Sequence, residues 1–215
     1  MVKRHDFHFI QKPESQQLIC KSLNTALAQA KVHHPNVCEL LEVQLEIHES
    51  NCTVFHILES LERSVNQDIE ERKQYTEPEL RKFLCQTSGA LAFAHSKGVA
   101  HRDVKPQNIF RTKDTYKVGD FDCYFLKRDS SVTKSFTGDR RYMSPQVREA
   151  YIYGSQYNAF KADVFALGAS LLQLMTLNSP ETVVTSDSLD EAVSIEVERL
   201  PWSAQLKQLV GNAGS

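Results

Sequence analysis

The run from Lys161 to Leu177 constrains the fold of this chain more than any other. Val164, Phe165, Ala166, Leu167, Leu171, Leu172, Leu174 and Met175 leave it with almost no polar face. A helix of this kind is stable in water only if other elements cover it nearly all round. It does not suit a bilayer: its most apolar part, Val164 to Met175, is too short to span one and contains Ser170 and Gln173. The chain is long enough to supply the cover. At 215 residues it can bury roughly 70% of its unfolded surface, in one to two domains. A hydrophobic share of 41% and a charged share of 24% are ordinary for a globular protein and argue against bulk disorder.

The covering elements announce themselves by period. From Gln16 to Lys31, Leu18, Ile19, Leu23, Ala26, Leu27 and Ala30 recur at helical spacing, and His34-Pro35-Asn36 ends that helix. Thr76-Glu77-Pro78-Glu79 is a capping box. The helix behind it runs to about Ser96, with Leu80, Phe83, Leu84, Thr87, Leu91 and Ala94 on one face. Lys97-Gly98 stops it. Met1 to Ile10 reads as a strand. Leu40 to Ile47 and Cys52 to Leu58 alternate as a hairpin with its turn at Ser50-Asn51. Two short strands are expected at 108–110 and 116–118, and one more helix from Ser188 to Arg199, after which the tail carries no packing signal. A small strand-rich part thus precedes a larger helical part. The expectation is an α+β fold of two lobes, 1–60 and 61–215, with the boundary near Glu59 to Ser64.

The charge balance, 25 basic against 27 acidic residues, excludes the basic surface of a nucleic-acid binder. The five cysteines are scattered, odd in number and without a C-x-x-C pair, which reads as reduced thiols and excludes a zinc knuckle. The amino-terminal residues carry charge with no apolar run behind it, so no signal peptide is expected. Cytoplasm, with the nucleus as a second compartment, is the expected location; no membrane partner is expected, and the oligomeric state stays open.

The chemistry concentrates at His101-Arg102-Asp103-Val104-Lys105-Pro106-Gln107-Asn108, between a helix and a short strand. An Asp and an Asn five apart on one tight loop can face a shared centre. The Asp can accept the proton of an attacking hydroxyl, and the Asn carbonyl oxygen can hold Mg²⁺ against phosphates. A lysine two after the Asp can reach a transferred phosphoryl group. Twelve residues past Asn108 comes Asp120-Phe121-Asp122, a second source of carboxylate oxygen for the same ion. Tyr142-Met143-Ser144-Pro145-Gln146 and Asp163-Val164-Phe165-Ala166-Leu167-Gly168 follow in order.

With these phrases the chain resembles a eukaryotic-type protein kinase domain of the Ser/Thr class, over roughly Val2 to Pro180. Lys105-Pro106-Gln107-Asn108-Ile109-Phe110 and Val118-Gly119-Asp120-Phe121 are similar to the NIMA-related group. The resemblance implies a bilobal fold and a set of roles. Asp103 would be the base and Lys105 would steady the γ-phosphate of ATP. Asn108 and Asp120 would hold Mg²⁺, and Lys3 would pair the α- and β-phosphates. Leu58 to Leu61 would form the hinge against adenine, with Glu59 and Leu61 contacting the nucleotide. Asp163 would anchor the catalytic loop. Arg102 would pair with a phosphate placed by an upstream kinase at Thr133, Ser135 or Thr137.

The chain departs from the family pattern at several points. No glycine-rich loop precedes Lys3 and the last helices of the large lobe are missing, so both ends read as truncated. The helix that should supply a Glu to Lys3 has Thr25 there, and no Glu lies between Ser15 and Asn36, which would leave Lys3 free to swing. Asp122 stands where a glycine allows unusual backbone angles. Asp139 replaces a threonine, and Gln146 replaces a Glu that would form a buried ion pair. The expected activity is transfer of the ATP γ-phosphoryl group to protein hydroxyls. The runner-up is a nucleotide-binding or scaffolding pseudokinase, and a third reading is an unfolded or partner-completed fragment.

Overall fold

The computed structural model describes residues 1–8, 12–127, 131–186 and 188–211. The strand β1 (Val2–Phe7) is followed by helix α1 (Pro13–Ala30), with Pro13 at the first helical position where its missing N–H costs nothing. Strands β2 (Leu40–His48) and β3 (Asn51–Leu58) form the expected hairpin. His48 pairs with Asn51, so the turn falls on Glu49-Ser50, one residue earlier than the sequence suggested, with Glu49 at φ 51°. The sheet order is β1-β3-β2, all antiparallel. Its inner face carries Cys52, Val54, His56 and Leu58, and α1 packs against it. Residues 9 and 10 of the expected first strand lie outside the described residues.

The remaining elements are mainly helical. Strand β4 (Arg63–Ser64) and helix α2 (Val65–Glu70) lead to helix α3 (Glu77–Ser96). Its capping box is present as read, with Glu79 Oε2 accepting the Thr76 N–H at 2.8 Å. Strand β5 (Val99–Ala100) precedes the loop of interest, which ends in a 3-10 turn at Pro106–Asn108. Strands β6 (Ile109–Thr112) and β7 (Thr115–Val118) pair with each other, and β6 also takes β4. Strand β8 (Phe125–Leu126) pairs with β5, and β9 (Val132–Thr133) with β10 (Tyr157–Asn158). Helix α4 (Pro145–Tyr153) and helix α5 (Ala159–Thr176) follow, and Asn158 Oδ1 caps α5 by accepting the N–H groups of Phe160 and Lys161.

The apolar run becomes the axis of the core. Leu167, Leu171, Leu172, Leu174 and Met175 are all buried, against Leu80, Phe83 and Leu91 of α3. The tail does pack, contrary to its sequence. Helices α6 (Glu181–Val184), α7 (Leu189–Glu198) and α8 (Ala204–Gly211) close the core, with Val197, Leu206 and Val210 buried. The reason is long range: Glu77, at the start of α3, accepts both the N–H and the O–H of Ser203, which no local pattern reveals. Residues 212–215 are outside the described set.

Candidate active site

The loop after β5 is pinned by a carboxylate from the core helix. Asp163, almost wholly buried in α5, accepts the N–H of His101 at 2.8 Å and of Arg102 at 2.7 Å, and meets His95 Nε2 at 2.8 Å. A buried charge with three donors is fully used, so the loop cannot shift without stranding it. The clamp keeps Arg102 at φ 65°, a left-handed conformation that a side chain disfavours. His101 is buried as well. Its Nδ1 accepts the Asp103 N–H at 3.2 Å, so its Nε2 is the protonated nitrogen and donates to the Gly119 carbonyl at 2.8 Å.

That second bond draws in the next segment. The Gly119 N–H also donates to the Asn108 carbonyl at 2.9 Å, which sets Asp120 beside the loop. Asn108 gives its amide N–H groups to the Asp103 carbonyl and to Asp103 Oδ2, each at 2.9 Å. Its Oδ1 takes no bond among the described residues. Lys105 Nζ lies 3.0 Å from Asp103 Oδ2 and 3.7 Å from Asp139 Oδ2. The Asp139 N–H donates to Asp103 Oδ1 at 2.9 Å, while its carboxylate takes Arg141 at 2.7 Å. Burial raises the Asp139 carboxyl, but the Arg141 bonds outweigh it and hold it below the usual carboxylate value.

Lys3 is not free to swing, as the missing helix carboxylate had suggested. From β1 its Nζ reaches Asp120 Oδ1 and Asp122 Oδ2, each at 2.6 Å. Burial lowers the Lys3 ammonium, yet these bonds and charges prevail and its pKa ends above the ordinary lysine value. For Asp120 likewise, burial is outweighed by Lys3, and the carboxyl sits below its usual value. The backbone strain expected at Asp122 falls elsewhere. Asp122 lies in the 3-10 turn Phe121–Cys123, and the left-handed residue is Asp120, at φ 62°.

At the hinge, the Glu59 side chain is already committed. It holds Lys117 at 2.7 Å and accepts the Glu39 N–H at 2.8 Å. Only its peptide group remains for a nucleotide, together with that of Leu61; among the described residues neither the Glu59 carbonyl nor the Leu61 N–H makes a backbone hydrogen bond. Arg102 is committed too, before any phosphate is added. It donates to the carbonyls of Cys123 at 2.6 Å, Ser135 at 2.9 Å and Tyr124 at 3.1 Å. Thr133 Oγ1 accepts the Ser135 N–H, and the Thr137 hydroxyl points to Cys123 Sγ. Gln146 is exposed; Arg148, one half-turn on in α4, instead donates to the carbonyls of Met143 and Val184.

The donor set suits the group that the resemblance implies. Asn108 Oδ1 and the Asp120 carboxylate are hard oxygen donors on adjoining segments, and no cluster of three or more His, Cys, Asp or Glu forms among the described residues. A sparse set of this kind fits Mg²⁺, which takes one or two protein oxygens plus phosphate oxygens and water. Sequence reasoning missed two features. Gly138, at φ 99°, lies so close to the loop that a Cβ would stand 2.3 Å from the Arg102 carbonyl oxygen. The Lys3–Asp122 pair was also unforeseen, because nothing local links residues so far apart. For Gly138 the signal was available: it is the one glycine in the polar run before Arg140.

No described helix is long and apolar enough to cross a membrane. The family model described as protein kinase domain matches residues 9–209. Cyclin-dependent kinase F-3 from Oryza sativa subsp. japonica is 36% identical over 163 residues, covering 74% of this chain and 35% of that protein. The Wee1-like protein kinase of Arabidopsis thaliana is 33% identical over 177 residues, 80% of this chain and 31% of that protein. A cell cycle serine/threonine-protein kinase of Saccharomyces cerevisiae is 30% identical over 167 residues, 74% of this chain and 23% of that protein. The chain spans about a third or less of the length of these relatives. The match over most of the chain, on an α+β fold with a small antiparallel sheet and a helical remainder, places the chain in the protein kinase domain family.

Proposed function

We propose that this chain performs the phosphotransfer step of a protein serine/threonine kinase, with residues 1–60 and 61–215 as its two lobes. ATP with Mg²⁺ is the donor and a protein hydroxyl the acceptor. The observation that carries this reading is the Gly119 N–H bond to the Asn108 carbonyl at 2.9 Å, which keeps Asn108 and Asp120 together beside Asp103. Asp103 accepts the proton of the attacking hydroxyl, and Lys105, 3.0 Å from it, steadies the moving phosphoryl group. Asn108 and Asp120 would hold the metal ion, which would supply positive charge against the phosphates. Lys3 takes the inner phosphates, and the peptide groups of Glu59 and Leu61 meet the base. The chemistry is mostly positioning and charge stabilisation, which a loop clamped at Asp163 supplies.

An upstream kinase acting at Thr133 or Ser135 is supported by a cleft of about 580 Å³ between α1 and this segment, to which Lys21, Lys31 and Arg102 bring positive charge.

The test is γ-phosphoryl transfer to a generic protein substrate, with ATP affinity measured alongside. Asp103→Asn should lower transfer by about 10²- to 10⁴-fold and leave ATP affinity nearly unchanged. Equal transfer by that variant overturns the assignment. A nucleotide-binding scaffold is the second reading, favoured by one observation: the Asp103 carboxylate already takes Asn108, Lys105 and the Asp139 N–H. Mg²⁺-dependent ATP binding with no transfer would select it.

A further inference from the structure

We propose that Asp122 is a positioning residue that serves as the counter-charge of Lys3, in place of the carboxylate that α1 lacks. The helix offers no substitute of its own. Its one acidic residue is Glu14, in the first turn, and the side chains it buries are Ser22, Thr25, Ala26, Ala28 and Gln29. Thr25 turns its hydroxyl back to the Lys21 carbonyl at 3.1 Å. Lys3 stands partly buried on β1, a strand that α1 packs against, and an ammonium in such a place needs a carboxylate to offset its lost hydration.

Two carboxylates meet Lys3 Nζ at equal distance, 2.6 Å, but they are not equivalent. Asp120 has a second duty under the proposed function, since its oxygens also serve the metal ion. It cannot give its charge in full to both. Asp122 has no such duty and keeps Lys3 paired and aimed when Asp120 is engaged elsewhere. The backbone makes this possible. The left-handed turn at Asp120 and the 3-10 turn after it bring two side chains of the same segment to one ammonium. A glycine at this position would leave Lys3 with Asp120 alone. The two departures from the family pattern, a carboxylate absent at Thr25 and one present at Asp122, are thus a single exchange of the ion-pair partner from helix to turn.

The inference rests on the proposed role of Lys3 toward phosphates, but its first test needs no nucleotide. Acetylation of the full chain by an N-hydroxysuccinimide ester, read by mass spectrometry, compares Lys3 with the exposed Lys134 as internal reference. Asp122→Asn should raise the relative labelling of Lys3 by about three- to tenfold, and Asp122→Glu, which keeps the charge, should leave it near that of the parent chain. Calorimetry with ADP in the absence of Mg²⁺ should then show affinity about tenfold weaker in Asp122→Asn and restored in Asp122→Glu. In turnover, KM for ATP should rise more than kcat falls. Unchanged Lys3 labelling in Asp122→Asn overturns the inference. So does a loss confined to Mg²⁺ affinity, which would make Asp122 a metal ligand. If the parent chain binds no ADP, the kinase reading fails, and the labelling result still decides whether Asp122 holds Lys3.

Discussion

Asp163 Oδ1 accepts the backbone N–H of Arg102 at 2.7 Å, so the core helix α5 directly holds the residue that precedes the proposed base. The same carboxylate takes the His101 N–H and meets His95. Asp163→Ala should therefore strand buried donors and cost about 3 kcal/mol of stability, more than Asp163→Asn, which retains one acceptor oxygen. Urea unfolding of both variants checks the order; an Asn variant as damaged as the Ala variant would contradict it.

Arg102 ties two stretches to the loop, Cys123-Tyr124 and Ser135, through three carbonyls. Arg102→Ala should free the stretch at Ser135. Trypsin cleavage after the exposed Lys134 should accelerate by about tenfold or more at native conditions, since each lost charge-assisted bond is worth roughly 1.5–3 kcal/mol against local opening. An unchanged cleavage rate would show that the segment is held elsewhere.

Glu59 holds Lys117 across the hinge. Because its side chain is spent there, Glu59→Ala should cost about 0.5–1 kcal/mol in stability while ATP affinity falls less than about threefold. Large loss of ATP binding with intact folding would place the carboxylate in the nucleotide site after all.

Two carboxylates at the start of α3 contribute to stability against acid. Glu77 is lowered to about 2 by the Ser203 and Arg81 bonds, and Glu79 to about 2 because Lys73 and Thr76 outweigh its burial, from an ordinary value of 4.5. Their folded pKa values lie below the unfolded ones, so between the two the unfolded chain binds more protons. The stabilisation is complete above about pH 4.5 and drains away as the pH falls toward 2. Denaturation midpoints should rise from pH 2.5 to 4.5, and Glu77→Gln with Glu79→Gln should flatten that rise.

Leu206 of α8 is fully buried. Leu206→Ala should cost about 2–4 kcal/mol, the range for a core truncation that leaves a cavity. A cost under about 0.5 kcal/mol would mean that α8 does not belong to the cooperative core.

The sequence by itself determined the central helix, the start of α3 and the position of the loop on which the proposed roles fall. The apolar run fixed a central helix, because no arrangement in water leaves Leu171 to Met175 exposed, and the capping box at Thr76 fixed where α3 begins. His101 to Asn108 was legible because the proposed roles need those residue types within a few positions of one another. What lies far apart in the chain was not legible. Only the tertiary structure decided that Asp122 reaches Lys3, that Arg102 is spent on carbonyls, and that Ser203 docks on Glu77 so that the tail packs. Periodicity reports which face of an element is apolar, but an ion pair or a close backbone approach between distant segments depends on where the packed core brings them, and no local pattern encodes that distance.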